Sequence, residues 1–125
     1  MIVGTGIDIV AIERVARLHQ RHGERALRLL LSERERQAAA AWSHPAPRLA
    51  GRFAAKEAVM KALGTGWTGG VTFTQIEILN SPGGQPQVQL SGAAAARCEA
   101  LGGRVWHLSI SHERDHAVAQ AILES

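Results

Sequence analysis

The chain is 125 residues long, 46% hydrophobic and 20% charged, with a formal net charge of +3. That length bounds one domain with a modest core, and that hydrophobic share excludes a disordered chain. No apolar run reaches the roughly 20 residues of a membrane span, the single cysteine, Cys98, excludes an internal disulfide, and two Phe, three Trp and no Tyr leave little stacking surface for single-stranded nucleic acid.

The opening segment MIVGTGIDIVAIERV has no basic lead and meets Asp8 early, unlike a signal peptide, so the expected compartment is the cytoplasm. Residues 2–12 carry Val3, Ile7 and Ile9 on one strand face and Ile2, Val10 and Ile12 on the other, which predicts a strand buried on both faces. Asp8 is its only charge. Gly4 and Gly6 share Asp8's face and are expected to leave room for a ligand. A buried carboxylate must be paired, satisfied by N–H groups or bound to a metal, and the strand alone leaves those readings open.

Helical segments follow at about 13–21 and 24–31, divided by Gly23. Arg14, Arg17, Arg21, Arg25 and Arg28 have helical spacing and only Glu24 among them. A solvated face explains such a run, and so does a docking surface for an acidic partner. Ser32, with Glu35 three residues on, predicts a capping box for a helix to about Ala41. SHPAP is a loop. Pro47 suits the first turn of a long helix, Arg48–Leu63, which Gly64 stops.

That helix does not sort its charges onto one solvated face. Leu49, Phe53, Met60 and Leu63 form a stripe; Lys56 projects into it, and Arg52 and Glu57 flank it. Gly51, Ala55, Ala58 and Ala62 form a small-residue face opposite. Arg52 and Lys56 are like-charged i,i+4 neighbours, whose repulsion an anion would relieve, and Glu57 and Lys61 are i,i+4 in the favourable order. Surface ion pairing with snorkelling stems is the alternative.

In the second half, Val71–Leu79 and Pro86–Leu90 flank the turn segment NSPGGQ. Ser91 can cap a helix to about Leu101, which Gly102-Gly103 ends. Val105–His112 and His116–Leu123 form a hairpin around Glu113-Arg114-Asp115. The predicted class is α+β in a single domain, 1–125: a mainly antiparallel sheet packed against helices, one of them long and central. There is no zinc-type Cys/His spacing. Asp8 with Glu57 supplies the minimum for a hard cation such as Mg²⁺, which takes its other ligands from water and phosphate. His112 lies at a strand end, while His19, His22, His44, His107 and His116 read as surface residues.

The segments GIDIV at 6–10, RFAAKEAVMKALGTG at 52–66 and LSISHERDHAVAQAILE at 108–124, in that order, resemble the holo-acyl-carrier-protein synthase family of small phosphopantetheinyl transferases. The resemblance implies the 4′-phosphopantetheinyl transferase fold and a Mg²⁺-dependent transfer in fatty acid biosynthesis. The 4′-phosphopantetheine of coenzyme A passes to a serine of apo-acyl carrier protein, leaving adenosine 3′,5′-bisphosphate. It implies Asp8 and Glu57 as metal ligands, Glu57 also as the group that deprotonates the serine, and Lys61 as the charge neutraliser at the pyrophosphate. It further implies Arg52 and His112 near coenzyme A, where the charge pattern of the long helix also puts Lys56, and Gly64-Thr65-Gly66 as a loop that lets the ligand approach the backbone. Arg14, Arg17, Arg21 and Arg25 would dock the acidic carrier protein, in a homotrimer with active sites shared between neighbours.

Three positions depart from the family pattern: Gln85 replaces a frequent lysine, Glu113 a small hydroxyl residue and His116 a frequent tyrosine. A nucleic-acid module using the arginines and a Mg²⁺-dependent nucleotide hydrolase using the same carboxylates are the competing readings. The low aromatic count and the charges of the long helix argue against the first.

Overall fold

The computed structural model describes all residues, Met1–Ser125. The chain runs β1 (Ile2–Ala11), α1 (Ile12–His22), α2 (Glu24–Leu30), α3 (Glu33–Ala39) and α4 (Pro45–Leu63). A 3₁₀ turn at Phe73–Gln75, β2 (Ile76–Asn80), β3 (Pro86–Leu90), α5 (Gly92–Ala100), β4 (Val105–Glu113) and β5 (His116–Glu124) complete it. The α+β prediction holds. β1, β5 and β4 form one antiparallel sheet in that order, and β2 and β3 form a separate hairpin. No helix is long and apolar enough to cross a membrane.

Local signals explain most boundaries. Ser32 Oγ accepts from the Glu35 N–H and Glu35 accepts from the Ser32 N–H, the predicted capping box. Gly64 ends α4 in the left-handed region at φ 75°. Gly23, at φ 52°, breaks the arginine-rich segment into α1 and α2. Two boundaries differ from expectation. α4 starts at Pro45, so both Pro45 and Pro47 fall within its first turn, where missing N–H groups cost nothing. Residues 73–75 coil into the 3₁₀ turn, so the strand expected from Val71 begins only at Ile76.

α4 lies across β1 and β5, with helices on its other side, and is buried nearly all round. This explains its mixed pattern: both the leucine stripe and the small-residue face are packed. Gly4 and Gly6 do not leave room for a ligand, as the strand alone had suggested. A Cβ on Gly4 would lie 2.1 Å from the Ala62 carbonyl oxygen, and one on Gly6 1.9 Å from that of Ala58. The two glycines admit the helix backbone instead. Gly6→Ala forces α4 off the sheet and is expected to lower stability by about 3 kcal/mol, read from the midpoint of urea unfolding; an unchanged midpoint would contradict this packing.

Burial on both faces of β1 is met on one side only. Gly6 and Val10 face the core, as do Ala117, Ala119, Ala121 and Leu123 of β5. Ile7 and Ile9 on the other side are 61% and 66% exposed, and Val105 of β4 shares that face. The β1 side of that outer face is thus apolar and exposed in the single chain, while His107, Ser109 and Gln120 make it polar toward β4.

Candidate active site

Folding brings Asp8, Glu57, Lys61 and Arg14 together where α4 crosses β1. Asp8 points from β1 toward α4, and its Oδ1 accepts a bond from Lys61 Nζ at 3.1 Å. The same ammonium donates to the Ile7 carbonyl at 2.8 Å, so Lys61 is anchored yet half exposed. Glu57, one turn before Lys61, is half-buried and makes no ion pair or hydrogen bond within the chain. Burial, and then the negative charge of Asp8, push its pKa above the usual carboxylate value; Lys61 and Arg14 pull it back in part. Glu57, with free oxygens and a second carboxylate beside it, forms with Asp8 a pair that a divalent cation relieves. No cluster of three or more His, Cys, Asp or Glu side chains exists, so this donor set suits a hard cation that keeps water and phosphate ligands. The residues present therefore fit the expected metal.

A second cluster lies at the other edge of the sheet. Arg48, Arg52, Asn80, Gly84 and His112 line one cleft between the start of α4, the β2–β3 turn and the end of β4. Arg52 donates to Asn80 Oδ1 at 3.2 Å. Burial, and then the charge of Arg48, lower the pKa of Arg52. Neither arginine takes part in any of the five ion pairs of the chain. Two guanidiniums without ion-pair partners and an imidazole around one concavity have the chemistry to hold an anion.

Lys56 belongs to neither cluster, contrary to the expectation that it would touch the ligand. It is fully buried, and its ammonium donates to Glu35 Oε1 at 2.6 Å, the Leu30 carbonyl at 2.7 Å and the Phe73 carbonyl at 3.0 Å. All three donors are used inside the protein. Burial lowers its pKa, and Glu35 opposes that shift. The like-charged i,i+4 pair that faces an anion cleft is therefore Arg48/Arg52, one turn before the Arg52/Lys56 pair marked in the sequence. Arg48 and Asn80 were missed. The 48/52 spacing could have signalled the first, but nothing local signals an asparagine at a strand end.

Gly64-Thr65-Gly66 leads out of α4. Arg97 Nε donates to the Leu63 carbonyl at 2.9 Å and fixes the helix end. Gly66 has φ 53° and nothing within 4 Å of a Cβ position, so the backbone there is open to an approaching molecule. On α1, Arg14, Arg17 and Arg21 line a single groove, and Arg25 follows the break at Gly23, bonded to His22 Nδ1 at 3.2 Å. Glu13 also opposes this run, through an exposed pair with Arg17 at 2.8 Å. Arg14 lies over the Phe53 ring. Glu113 is exposed and unpaired with Arg114, which takes a strained φ of 52° at the hairpin tip.

Comparison with known proteins agrees with this fold. The sequence profile of the 4′-phosphopantetheinyl transferase superfamily matches residues 4–121, which places the chain in that class of enzymes. The holo-[acyl-carrier-protein] synthases of Nitratidesulfovibrio vulgaris and Koribacter versatilis are 51% and 48% identical to it, over 100% and 99% of both chains respectively. The crystal structure of the Neisseria meningitidis holo-[acyl-carrier-protein] synthase superposes with a TM-score of 0.92 at 36% identity, each chain fully covered. The Bacillus anthracis enzyme, in complex with CoA (3′,5′-ADP), gives 0.83 at 38% identity, over 100% of this chain and 98% of that one. The chain belongs to the holo-[acyl-carrier-protein] synthase family.

Proposed function

We infer that the chain transfers 4′-phosphopantetheine from coenzyme A to a serine hydroxyl of apo-acyl carrier protein, and that each active site is built from two subunits. The placement of Arg52 and Lys61 carries the second part. They are nine residues apart on α4, about two and a half turns, and so project from opposite faces of a buried helix. The carboxylate cluster lies at the β1 edge and the arginine cleft at the β4 edge, with β5 between. A ring of subunits would set the cleft of one against the carboxylates of the next. The exposed Ile7, Ile9 and Val105 supply an apolar surface for that contact, and a homotrimer is the ring we propose.

In this reading the cleft of Arg48, Arg52, Asn80 and His112 grips phosphate oxygens of coenzyme A. Lys61, held against β1, neutralises the pyrophosphate and the charge that develops as the bond to the leaving phosphate breaks. Glu57 takes the proton of the attacking serine, for which its raised pKa suits it. Asp8 and Glu57 would hold Mg²⁺, which when bound polarises phosphate oxygens. The open backbone at Gly64-Thr65-Gly66 receives the pantetheine side of the substrate. Most of the rate comes from positioning and charge neutralisation, as phosphoryl transfer requires. Arg14, Arg17, Arg21 and Arg25 dock the acidic carrier protein and accelerate its approach. A free thiol and no disulfide suit the cytoplasm, and the reaction serves fatty acid biosynthesis.

Incubated with coenzyme A, Mg²⁺ and apo-acyl carrier protein, the protein should add the mass of phosphopantetheine to the carrier, more slowly as salt is raised. Folded protein that modifies none of several carrier proteins would overturn the assignment. Release of adenosine bisphosphate without carrier protein would favour the hydrolase reading instead.

A further inference from the structure

The arginine cleft contains two like charges with no ion-pair partner, since Glu35, whose charge reaches Arg52, is in contact with Lys56 instead, yet both guanidiniums are held in place. Arg48 and Arg52 are i,i+4 neighbours that repel each other, so an isolated helix would let them splay into solvent. Here the guanidinium carbon of Arg48 lies 5.1 Å, and that of Arg52 5.8 Å, from the centroid of the Trp42 ring. Arg52 has a second tether in Asn80, whereas no hydrogen bond or ion pair holds Arg48. Trp42 itself lies between α3 and α4, half-buried against the core, which fixes the ring. It stands with Arg48, Arg52 and Asn80 around a pocket adjoining the cleft, so the guanidiniums form the wall between ring and anion site. The electron-rich face of an indole attracts a cation without neutralising it. A carboxylate in the same place would hold the arginines but compete with phosphate.

We propose that Trp42 is a positioning residue for phosphate binding: its indole holds Arg48 and Arg52 side by side, charged and unpaired, at the mouth of the cleft. Binding then orders fewer rotamers, which raises affinity without touching the reacting atoms. The inference rests on the reading of this cleft as a coenzyme A phosphate site.

The test is steady-state kinetics on Trp42→Leu, Trp42→Phe, Arg48→Ala, Arg52→Ala, the double variant Arg48→Ala/Arg52→Ala and the triple variant Trp42→Leu/Arg48→Ala/Arg52→Ala, with the melting temperature of each. Leu fills volume without the π face and Phe keeps that face. Trp42→Leu is expected to raise the KM for coenzyme A about tenfold with kcat within about twofold, and Trp42→Phe to restore most of the affinity. In the triple variant the Leu change should add nothing to the KM of the double arginine variant. If the arginine variants raise KM while Trp42→Leu does not, or if Leu and Phe behave alike, the role of the ring is overturned and the phosphate cleft stands. If the arginine variants leave the coenzyme A KM unchanged, the cleft is not a phosphate site and the proposal falls with it.

Discussion

Glu57→Gln should lower turnover by at least about a thousandfold while the protein stays folded. The amide cannot accept the serine proton and is a poor ligand for a hard cation, so two contributions are lost at one position. The structure adds a sign to the stability effect. Burial and Asp8 raise the pKa of Glu57 above its value in the unfolded chain, so the folded state holds that proton more tightly. The stability this contributes is full below the unfolded value and is lost as pH rises through the folded one. At pH 7 the ionised side chain therefore weighs against the fold. Glu57→Gln should melt at or above the temperature of the parent at pH 7, and the difference should close toward pH 4. Activity carries the same pKa: kcat/KM should rise with pH along an acid limb above the ordinary glutamate range. That limb should move down as Mg²⁺ is raised, because metal and proton compete for one carboxylate. Near-normal turnover in Glu57→Gln would remove it from the chemistry, and a melting temperature well below the parent's would mean that the substitution acts on the fold.

The second large effect concerns stability. Lys56→Met should destabilise the protein by about 3–5 kcal/mol, a large part of the total for a domain of this size. The substitution preserves volume but leaves the Glu35 carboxylate uncompensated in the core, together with the Leu30 and Phe73 carbonyls that Lys56 Nζ had satisfied. Glu35 cannot turn to solvent, because Oε1 also accepts from Ser32 N–H at 2.8 Å and Oε2 from Ile78 N–H at 3.0 Å. The pair thus ties α3, α4 and β2 together, with the end of α2 and the 3₁₀ turn held through backbone carbonyls. Urea unfolding measures the loss. A Lys56→Met protein of parental stability but impaired coenzyme A binding would return Lys56 to the ligand site.

How far these features could be read from sequence follows the range of the interactions. The capping box at Ser32, the stop at Gly64, the break at Gly23 and the Glu113–His116 hairpin rest on neighbours within a few residues, and their signals are local. Lys56 was misread because its partner, Glu35, is 21 positions away and already explained as a cap. Gly4 and Gly6 signalled a close approach, but sequence does not say whether a ligand or a helix makes it. The charges on α4 marked a site, yet a helical projection cannot show that both of its faces are buried and that its ends meet different edges of the sheet. Asp8, Glu57 and Lys61 were legible together because Asp8 is the lone charge of its strand and the other two share a helix face. The Arg48–Asn80–His112 cleft draws on three separate elements, and of its residues the sequence points only to Arg52 and His112.

The assembled site is tested most directly by mixing two impaired subunits. Glu57→Gln removes one half-site and Arg48→Ala/Arg52→Ala the other, and each alone should be nearly inactive at low coenzyme A. In a randomly mixed ring, about one interface in four joins an intact cleft to an intact carboxylate cluster. Co-refolded subunits should therefore recover about a quarter of the parental activity. A mixture that assembles, as shown by recovery of both subunits through a tag on one, yet stays as inactive as its components would contradict a site shared between neighbours.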